Sequence, residues 1–457
     1  MRNVIKGFLF SLALSAAAPM AADLAQADTL FGAMEKAYST NPTLNGARAG
    51  QRATDEQVPQ ALSGWRPTVT VNGEVSHNWE KSQRTGQKAE DFDSKRVAIT
   101  LNQPIFRGFR TVESTKAAEA RVDAGRQNLL QTEQNVLFKV VQAYMNVYAG
   151  RQLVVLQKQN VAAFSSQLNA ANERFSVGEI TRTDVAQARS RLAEAQTLLR
   201  NFEATLAGDV AEYLQIVGNQ PAKLKYPPII KLPKSLKSAQ AMAGETNPQI
   251  LAEAFVEVAA QHDIGVRRAG LLPTADLEAT VTLNDSRIND GIDTEQSAAV
   301  TASVRIPLYE SGQIYSQVRQ AKQLASQQRI AVIEIARFVR QAVASSWNAY
   351  VGLGDIIRYA RTQVSAAELA LSGVQQEYQA GTRTTLDVLD AQSALVSART
   401  TLVNAEKNRV IAAYQLLAAV GHLTAKDLAL NVVIYDPEQN YHRVRDKWIG
   451  TDVETLE

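Results

Sequence analysis

Cysteine is absent from all 457 residues of this chain. Its absence excludes disulfide bonds, thiol chemistry and the lipid anchor that bacterial lipoproteins attach to an N-terminal cysteine. The sequence also has no phosphate-binding glycine loop and no G-x-S-x-G motif. Histidine is scarce, and its copies lie far apart rather than at metal-site spacing: His77, His262, His422 and His442. We therefore expect no enzyme, no catalytic residue, no metal and no cofactor.

Aromatic residues make up only 6% of the chain, and the formal net charge is +2. Few aromatics together with much alanine, glutamine, arginine and serine are typical of long polar helices rather than of a thick globular core. A charge balance this near neutral, without a basic block, does not indicate a nucleic-acid partner. No transmembrane helix is expected, because no stretch after the N-terminal 30 residues contains about 18 consecutive apolar residues.

The N-terminus has the pattern of a secretory signal peptide. Arg2 and Lys6 precede an apolar run over residues 7–18, and Ala25-Gln26-Ala27 has the small-x-small form of a cleavage site. We predict a signal peptide over residues 1–27, with cleavage after Ala22 as the alternative. An exported chain without helical spans can still enter a membrane as β-strands.

The sequence contains the same pattern of residues twice. Asn41-Pro42 recurs as Asn247-Pro248, and the later matches, all 203 residues apart, pair Gly178 with Gly381, Asp184 with Asp387, and Val217-Gly218 with Val420-Gly421. A tandem duplication explains these matches. We predict a first repeat over residues 28–218, a proline-rich linker over 219–236, a second repeat over 237–421 and a polar tail over 422–457.

Each repeat contains one long β-hairpin, over residues 68–106 and 274–308. Apolar and polar residues alternate there, as in Val69 and Val71 against Thr70. Alternation with one polar face fits an ordinary antiparallel sheet on a core, and it also fits strands that span a membrane. Four strands cannot close a membrane barrel, since the smallest have about 8. If these strands span a membrane, several copies must share one barrel.

Helical hairpins follow, over residues 110–217 and 312–420. Apolar residues recur there at spacings of 3 and 4, with Asn160 as a polar exception in the first long helix. Each long helix would measure about 100 Å, and a seam of this kind needs partners along its whole length. Shorter helices over residues 42–64 and 248–270 precede the strands, and we expect them to stack beside the long ones.

Two carboxylates, Asp387 and Asp390, lie on one helix face just after the second glycine turn. A capping box from Thr384 to Asp387 is the simpler explanation for an acid in a first turn. Gln187 stands at the position that matches Asp390 in the first repeat. Because a cap is needed equally in both repeats, capping explains Asp390 least well.

Six short motifs, in three pairs, point to one known family. They are Q-P-I-F-R-G at 103–108 with I-P-L-Y at 306–309, R-F-S-V-G at 174–178 with T-D-V at 183–185, and Y-Q-A-G-T-R at 378–383 with L-D-V-L-D at 386–390. With the duplicated hairpins, they resemble the TolC family of outer-membrane efflux channels over residues 29–421. The missing cysteine matches the branch without a lipid anchor.

The resemblance implies an α+β membrane protein built from two tandem structural repeats. A long antiparallel α-helical barrel in the periplasm would be continuous with a transmembrane β-barrel in outer-membrane lipid. Three chains would share that barrel, with four strands from each. The resemblance further implies a homotrimer that acts as the outer-membrane exit duct of a tripartite efflux pump or a type I secretion system, and that passes drugs, toxic small molecules or polypeptides passively.

The resemblance also implies roles for residues at the periplasmic tip. Tyr378 and Arg383 would form closing contacts with Asp184 and its neighbour Thr183. The pore constriction would be lined by Asp387 and Asp390. The turns at Gly178 and Gly381 would dock a periplasmic adaptor, which joins the duct to the inner-membrane transporter that supplies the energy.

A second hypothesis remains open from the sequence. A periplasmic coiled-coil adaptor or structural protein would have the same long helices, with its β-hairpins in a soluble sheet. Membrane fractionation distinguishes the two, because only the channel would be a trimer in the outer membrane.

Overall fold

The computed structural model describes residues 29–80, 90–228, 230–288 and 291–453. The predicted signal peptide and both candidate cleavage sites therefore lie outside the described residues. The first half contains α1 (Leu30–Thr40), α2 (Pro42–Asp55), α3 (Gln57–Leu62), β1 (Thr68–Glu80), β2 (Glu90–Arg107), α4 (Arg110–Ser176) and α5 (Arg182–Val217). The second half contains α6 (Leu236–Thr246), α7 (Pro248–Arg268), β3 (Thr274–Ile288), β4 (Gly291–Arg305), α8 (Gln313–Gln379), α9 (Thr385–Val420) and α10 (Glu438–Val444).

The order of elements is the same in both halves, and the long helices match in length. Helices α4 and α8 each have 67 residues, and α5 and α9 each have 36. Asn41 and Asn247 start the equivalent helices α2 and α7 in the same way, because each side chain accepts hydrogen bonds from the two backbone amides that follow Pro42 and Pro248. The chain is thus mostly helical, with one small sheet.

The four strands form one antiparallel sheet in the order β1-β2-β3-β4. Its register places apolar residues on one face, for example Val71 opposite Ile99 and Ile99 opposite Val281. This face is uncovered within the chain, since Val75 is 77% exposed and Val300 is 73% exposed. The other face is polar and includes Glu74, which lies opposite Arg96. The sheet therefore has no core of its own.

None of the helices in the described ranges combines the length and apolarity needed to cross a bilayer.

The main hydrophobic core lies where the middle of α4 meets α1, the C-terminal ends of α5 and α9, and the segment after Gly421. Tyr144, Tyr213 and Tyr414 are each no more than 1% exposed there. Towards the far end of the helices, only a small cluster around Phe164 joins α4, α5 and α9. The described part of the protein is thus well packed around the middle of α4 and thinly packed towards the glycine turns.

The segment over residues 422–453 packs onto the first half, whereas the sequence predicted only a polar tail. Leu423 enters the main core, and Asn440 of α10 donates to the buried carboxylate of Asp55 at 2.8 Å. The guanidinium of Arg48 lies 4.5 Å from the ring centre of Tyr38 and 5.3 Å from that of Tyr435. Single anchors of this kind have no periodicity in sequence, so the pattern could not reveal them.

Glycines end α5 and α9 in the left-handed region, with φ of 88° at Gly218 and 97° at Gly421. A Cβ at Gly421 would lie 2.5 Å from the backbone oxygen of Thr246, whereas a Cβ at Gly218 would meet only the Thr40 hydroxyl, at 3.6 Å. An alanine at Gly218 would therefore add backbone strain alone, whereas an alanine at Gly421 would add both backbone strain and a steric clash.

We expect Gly218→Ala to lower the free energy of unfolding by about 1 to 2 kcal/mol, the cost of left-handed backbone in alanine. Gly421→Ala should cost about 1 to 3 kcal/mol more, because the chain around Thr246 must also move. Urea unfolding in detergent, followed by tryptophan fluorescence, measures both values. Equal destabilisation by the two substitutions would contradict the close approach at Gly421.

Candidate functional site at the helical tips

Two glycine turns join the long helices to their partners. Gly178 has φ of 79° and Gly381 has φ of 76°. In each turn a backbone amide beyond the helix donates back to a carbonyl of the last turn, from Glu179 to Arg174 at 2.9 Å and from Thr382 to Glu377 at 3.0 Å. These bonds satisfy helix-end carbonyls, and the positive φ suits glycine. Each hairpin thus reverses direction over a few residues and leaves a narrow tip.

A capping box starts the helix after each turn. The Asp184 carboxylate accepts from the Thr181 amide and hydroxyl, each at 2.8 Å, and the Asp387 carboxylate accepts from the Thr384 amide at 2.9 Å and hydroxyl at 2.8 Å. Hydrogen bonds from Thr181 lower the pKa of Asp184, mainly through its hydroxyl, and those from Thr384 lower the pKa of Asp387, mainly through its amide. Both carboxylates are therefore charged caps, and the capping interpretation is correct for Asp387.

Tyr378 and Arg383 each make a contact within their own hairpin, and Tyr378 also contacts the first hairpin. The hydroxyls of Tyr378 and Thr385 are 3.3 Å apart. The guanidinium of Arg174, on the first hairpin, lies 4.4 Å from the Tyr378 ring centre. Arg383 donates to Glu377 at 2.7 Å. Within the described chain these contacts do not include the predicted ones to Thr183 and Asp184, so the closing contacts stay a prediction for the assembled protein.

Asp390 is bound across the two hairpins. Arg191 of α5 donates to the Asp390 carboxylate of α9 at 2.7 Å and to Glu194 on its own helix at 3.1 Å. The Arg191 and Asp390 side chains are 34% and 54% exposed. The pKa of Arg191 is raised, chiefly by the hydrogen bond to Glu194 and also by the charge of Asp390. One arginine therefore ties the tip of α5 to the tip of α9.

The sequence motifs did not identify Arg191, but the duplication contained a signal. The residues that match Asp390 and Arg191 in the other half, at a spacing of 203, are Gln187 and Ala394. Both members of the pair therefore stand where the halves differ, and they have opposite charges. Comparing the halves would have marked both residues as differences between the repeats, but only the folded chain shows that they meet.

Comparison with known proteins agrees with this architecture. The family model described as outer membrane efflux protein matches residues 33–219 and 241–422. Outer membrane efflux protein BepC of Brucella suis biovar 1 (strain 1330) is 40% identical over 427 residues, which cover 93% of this chain and 92% of BepC. The chain belongs to the outer membrane efflux protein family.

Two further similarities fit that membership. Outer membrane protein TolC of Escherichia coli (strain K12) is 29% identical over 91% of this chain and 86% of its own length. The Campylobacter jejuni CmeC outer membrane channel has the same fold, with a TM-score of 0.78 at 15% identity over 91% of this chain and 89% of that structure. The resemblance seen in the sequence motifs is thus confirmed.

Membership of the outer membrane efflux protein family places the chain in the outer membrane, with its helical part in the periplasm. It serves there as an exit duct in efflux or secretion. The tip residues described above belong to this helical part.

Proposed function

We propose that three copies of this chain form one passive exit duct, in which a shared twelve-stranded β-barrel continues into a twelve-helix barrel. The observation that supports this assembly is the sheet. Its apolar face is exposed, and within the described chain its outer strands β1 and β4 pair on one side only. Unpaired strand edges are not tolerated in lipid. Pairing β1 of one copy with β4 of the next satisfies both edges.

The closed state of the duct is held at the tip. In the assembled trimer, Tyr378 and Arg383 close the tip through Thr183 and Asp184, while Asp387 and Asp390 contribute six carboxylates to the constriction. Ion pairs on a partly exposed surface are worth only about 0.2 to 1 kcal/mol each. Contacts this weak suit a gate that a partner opens by binding.

A periplasmic adaptor docks at the turns around Gly178 and Gly381 and recruits an inner-membrane transporter, which supplies the energy. The turn at Gly178 exposes apolar side chains that suit contact with an adaptor. Val177 is 76% exposed and Phe175 is 45% exposed. The cargo comprises drugs, toxic small molecules or secreted polypeptides. Cross-linking in cells followed by purification identifies the transporter, and the transporter sets the cargo class.

Planar-bilayer recording of the purified outer-membrane protein tests this function. We expect a trimer whose current is blocked by multivalent cations from the periplasmic side, because clustered carboxylates attract them. Asp390→Ala removes three carboxylates from the trimer. If each contributes about 0.5 to 1 kcal/mol to binding of the blocking cation, the affinity of the cation should fall by about tenfold or more.

Asp355→Asn is the matched control, since Asp355 pairs with Arg358 inside α8 and lies many turns from the tip. Multivalent cations should block the current through the Asp355→Asn channel as strongly as they block the unaltered channel. Unchanged block in Asp390→Ala would remove Asp390 from the constriction. A soluble periplasmic monomer without channel activity would instead support the adaptor hypothesis.

A further inference from the structure

A cavity of about 320 Å³ lies between α4, α5 and α9, on the side of the Arg191–Asp390 ion pair towards the sheet. Its apolar wall includes Phe164, which is 3% exposed, and the half-buried Phe202. Serine and threonine hydroxyls of α9 line the opposite side. The volume is at the lower end of the range for small-molecule sites, which begins at about 300 Å³.

Asn160 lines this cavity, and one of its two polar side-chain atoms is unpaired among the described residues. It is the polar exception in the apolar pattern of α4, and it is only 4% exposed. Its amide nitrogen lies 3.4 Å from the side-chain oxygen of Gln157, one turn away on the same helix. Its Oδ1 has no hydrogen-bond donor among the described residues. A buried carbonyl without a donor costs free energy, so this atom is suited to a ligand that donates a hydrogen bond.

An asparagine in a helical seam commonly fixes the register by pairing with a polar residue of the facing helix. No such cross-helix bond forms to Asn160 in the described part of the chain. Phe164 and Phe202 lie beside Asn160 but do not fill the cavity. Register specification therefore does not explain Asn160.

The charge at one end of the cavity favours a cation. Arg191 and Glu194 line that end, and Asp390 binds Arg191 from the far side. Two carboxylates thus surround one guanidinium, which leaves one negative charge in excess. An ammonium group is attracted by that excess, can donate to the free oxygen of Asn160, and is also favoured near aromatic faces.

We propose that this cavity is a binding site for a small aromatic ammonium ion. The aromatic body packs against Phe164 and Phe202, and the ammonium donates to Asn160 Oδ1. The bound ion contacts α4, α5 and α9 together, so it stabilises the same packing that the Arg191–Asp390 pair holds. The site is built within one chain and does not depend on the proposed trimer or gate.

Isothermal titration calorimetry on the full-length protein in detergent tests the site with three probes of one shape. 2-Naphthylmethylammonium should bind saturably with one site per chain. The uncharged 2-naphthalenemethanol should bind about tenfold more weakly, and the 2-naphthylacetate anion should show no saturable binding. Equal binding of the cation and the alcohol would overturn the assigned ligand class, and absence of saturable cation binding would overturn the site.

Variants locate the bound probe. Asn160→Leu removes the acceptor, and Thr400→Trp fills the cavity from α9; each should weaken binding of the cation by about tenfold or more. Gln363→Leu is the matched control, because Gln363 is the exposed residue 203 positions after Asn160, and it should bind as the unaltered protein does. Unchanged affinity in both cavity variants, with circular dichroism showing intact helices, would place the probe elsewhere and reject the proposal.

Discussion

Arg191→Gln is expected to raise the conductance of the reconstituted duct. The substitution removes the ion pair between α5 and α9 near the tip and leaves a shorter, uncharged polar side chain. If the pair is worth about 0.7 kcal/mol per chain, three chains lose about 2 kcal/mol of closed-state stability. The ratio of open to closed tips then rises by about 30-fold. Single-channel recording in planar bilayers measures the change.

Arg200→Gln is the control for Arg191→Gln. Arg200 lies on the same helix and forms a similar ion pair, at 2.8 Å, but its partner Glu203 also belongs to α5. Losing that pair does not separate the hairpins, so the conductance should stay unchanged.

Asp390→Asn tests whether Arg191 acts through Asp390. In the double variant, Arg191→Gln should have little further effect on opening, because its partner is already gone. Additive effects of the two substitutions, or no effect of Arg191→Gln alone, would show that the pair does not hold the tip closed.

Asn440→Leu should destabilise the protein more than any surface substitution in the C-terminal segment. Asp55 is fully buried, and its two carboxylate oxygens accept from Asn440 at 2.8 Å and from Gln51 at 2.9 Å. Leucine leaves one oxygen of a buried charge without a donor, at a cost of about 3 kcal/mol or more. The midpoint of thermal unfolding in detergent should fall accordingly, and α10 should become sensitive to protease.

The pH dependence gives this prediction a second readout. Burial raises the pKa of Asp55 above its ordinary value of 3.8, despite the hydrogen bonds that oppose the shift. Protonation therefore favours the folded state, and the penalty of the charge appears as the pH rises through the raised pKa. The variant loses a hydrogen bond to the charged form, so its deficit should be largest at neutral pH and should shrink on acidification towards pH 4.

Gln439→Leu controls for the loss of a polar side chain from α10, because Gln439 is the exposed neighbour of Asn440. It should unfold at the same temperature as the unaltered protein. A pH-independent deficit in Asn440→Leu would mean that lost packing, rather than the unpaired carboxylate, causes the destabilisation.

The long elements were predictable from sequence because each gives a sustained periodic signal. The predicted helical hairpins over 110–217 and 312–420 coincide within one residue with the observed Arg110–Val217 and Gln313–Val420. Glycines mark where these helices end, and their positive φ gives the physical reason. The strands followed equally from alternation. The short α1 and α6, of 11 residues each, were not predicted, since three turns give a weak periodic signal.

The tip contacts depended on tertiary structure that one sequence does not define. The capping box at Asp387 is local, so its spacing alone suggested it. The partner of Asp390 is 199 residues away in the chain, and only the folded hairpins bring Arg191 to it. The same applies to Asp55 and Asn440, which are 385 residues apart. Local rules predict the elements, whereas the packing of separate elements decides which charges meet.

Equivalent helices of the two halves have equal lengths, with 67 residues in α4 and α8 and 36 in α5 and α9. These equal lengths restrict how the sequence can change in length. An inserted residue turns the rest of an α-helix by about 100°, so a lone insertion in α4 would rotate its apolar seam away from α5. Changes of about seven residues preserve the seam, but the partner helix and the other hairpin must then gain the same number. Descendants of this chain can therefore change the reach of the helical part only in coordinated steps of about 10 Å.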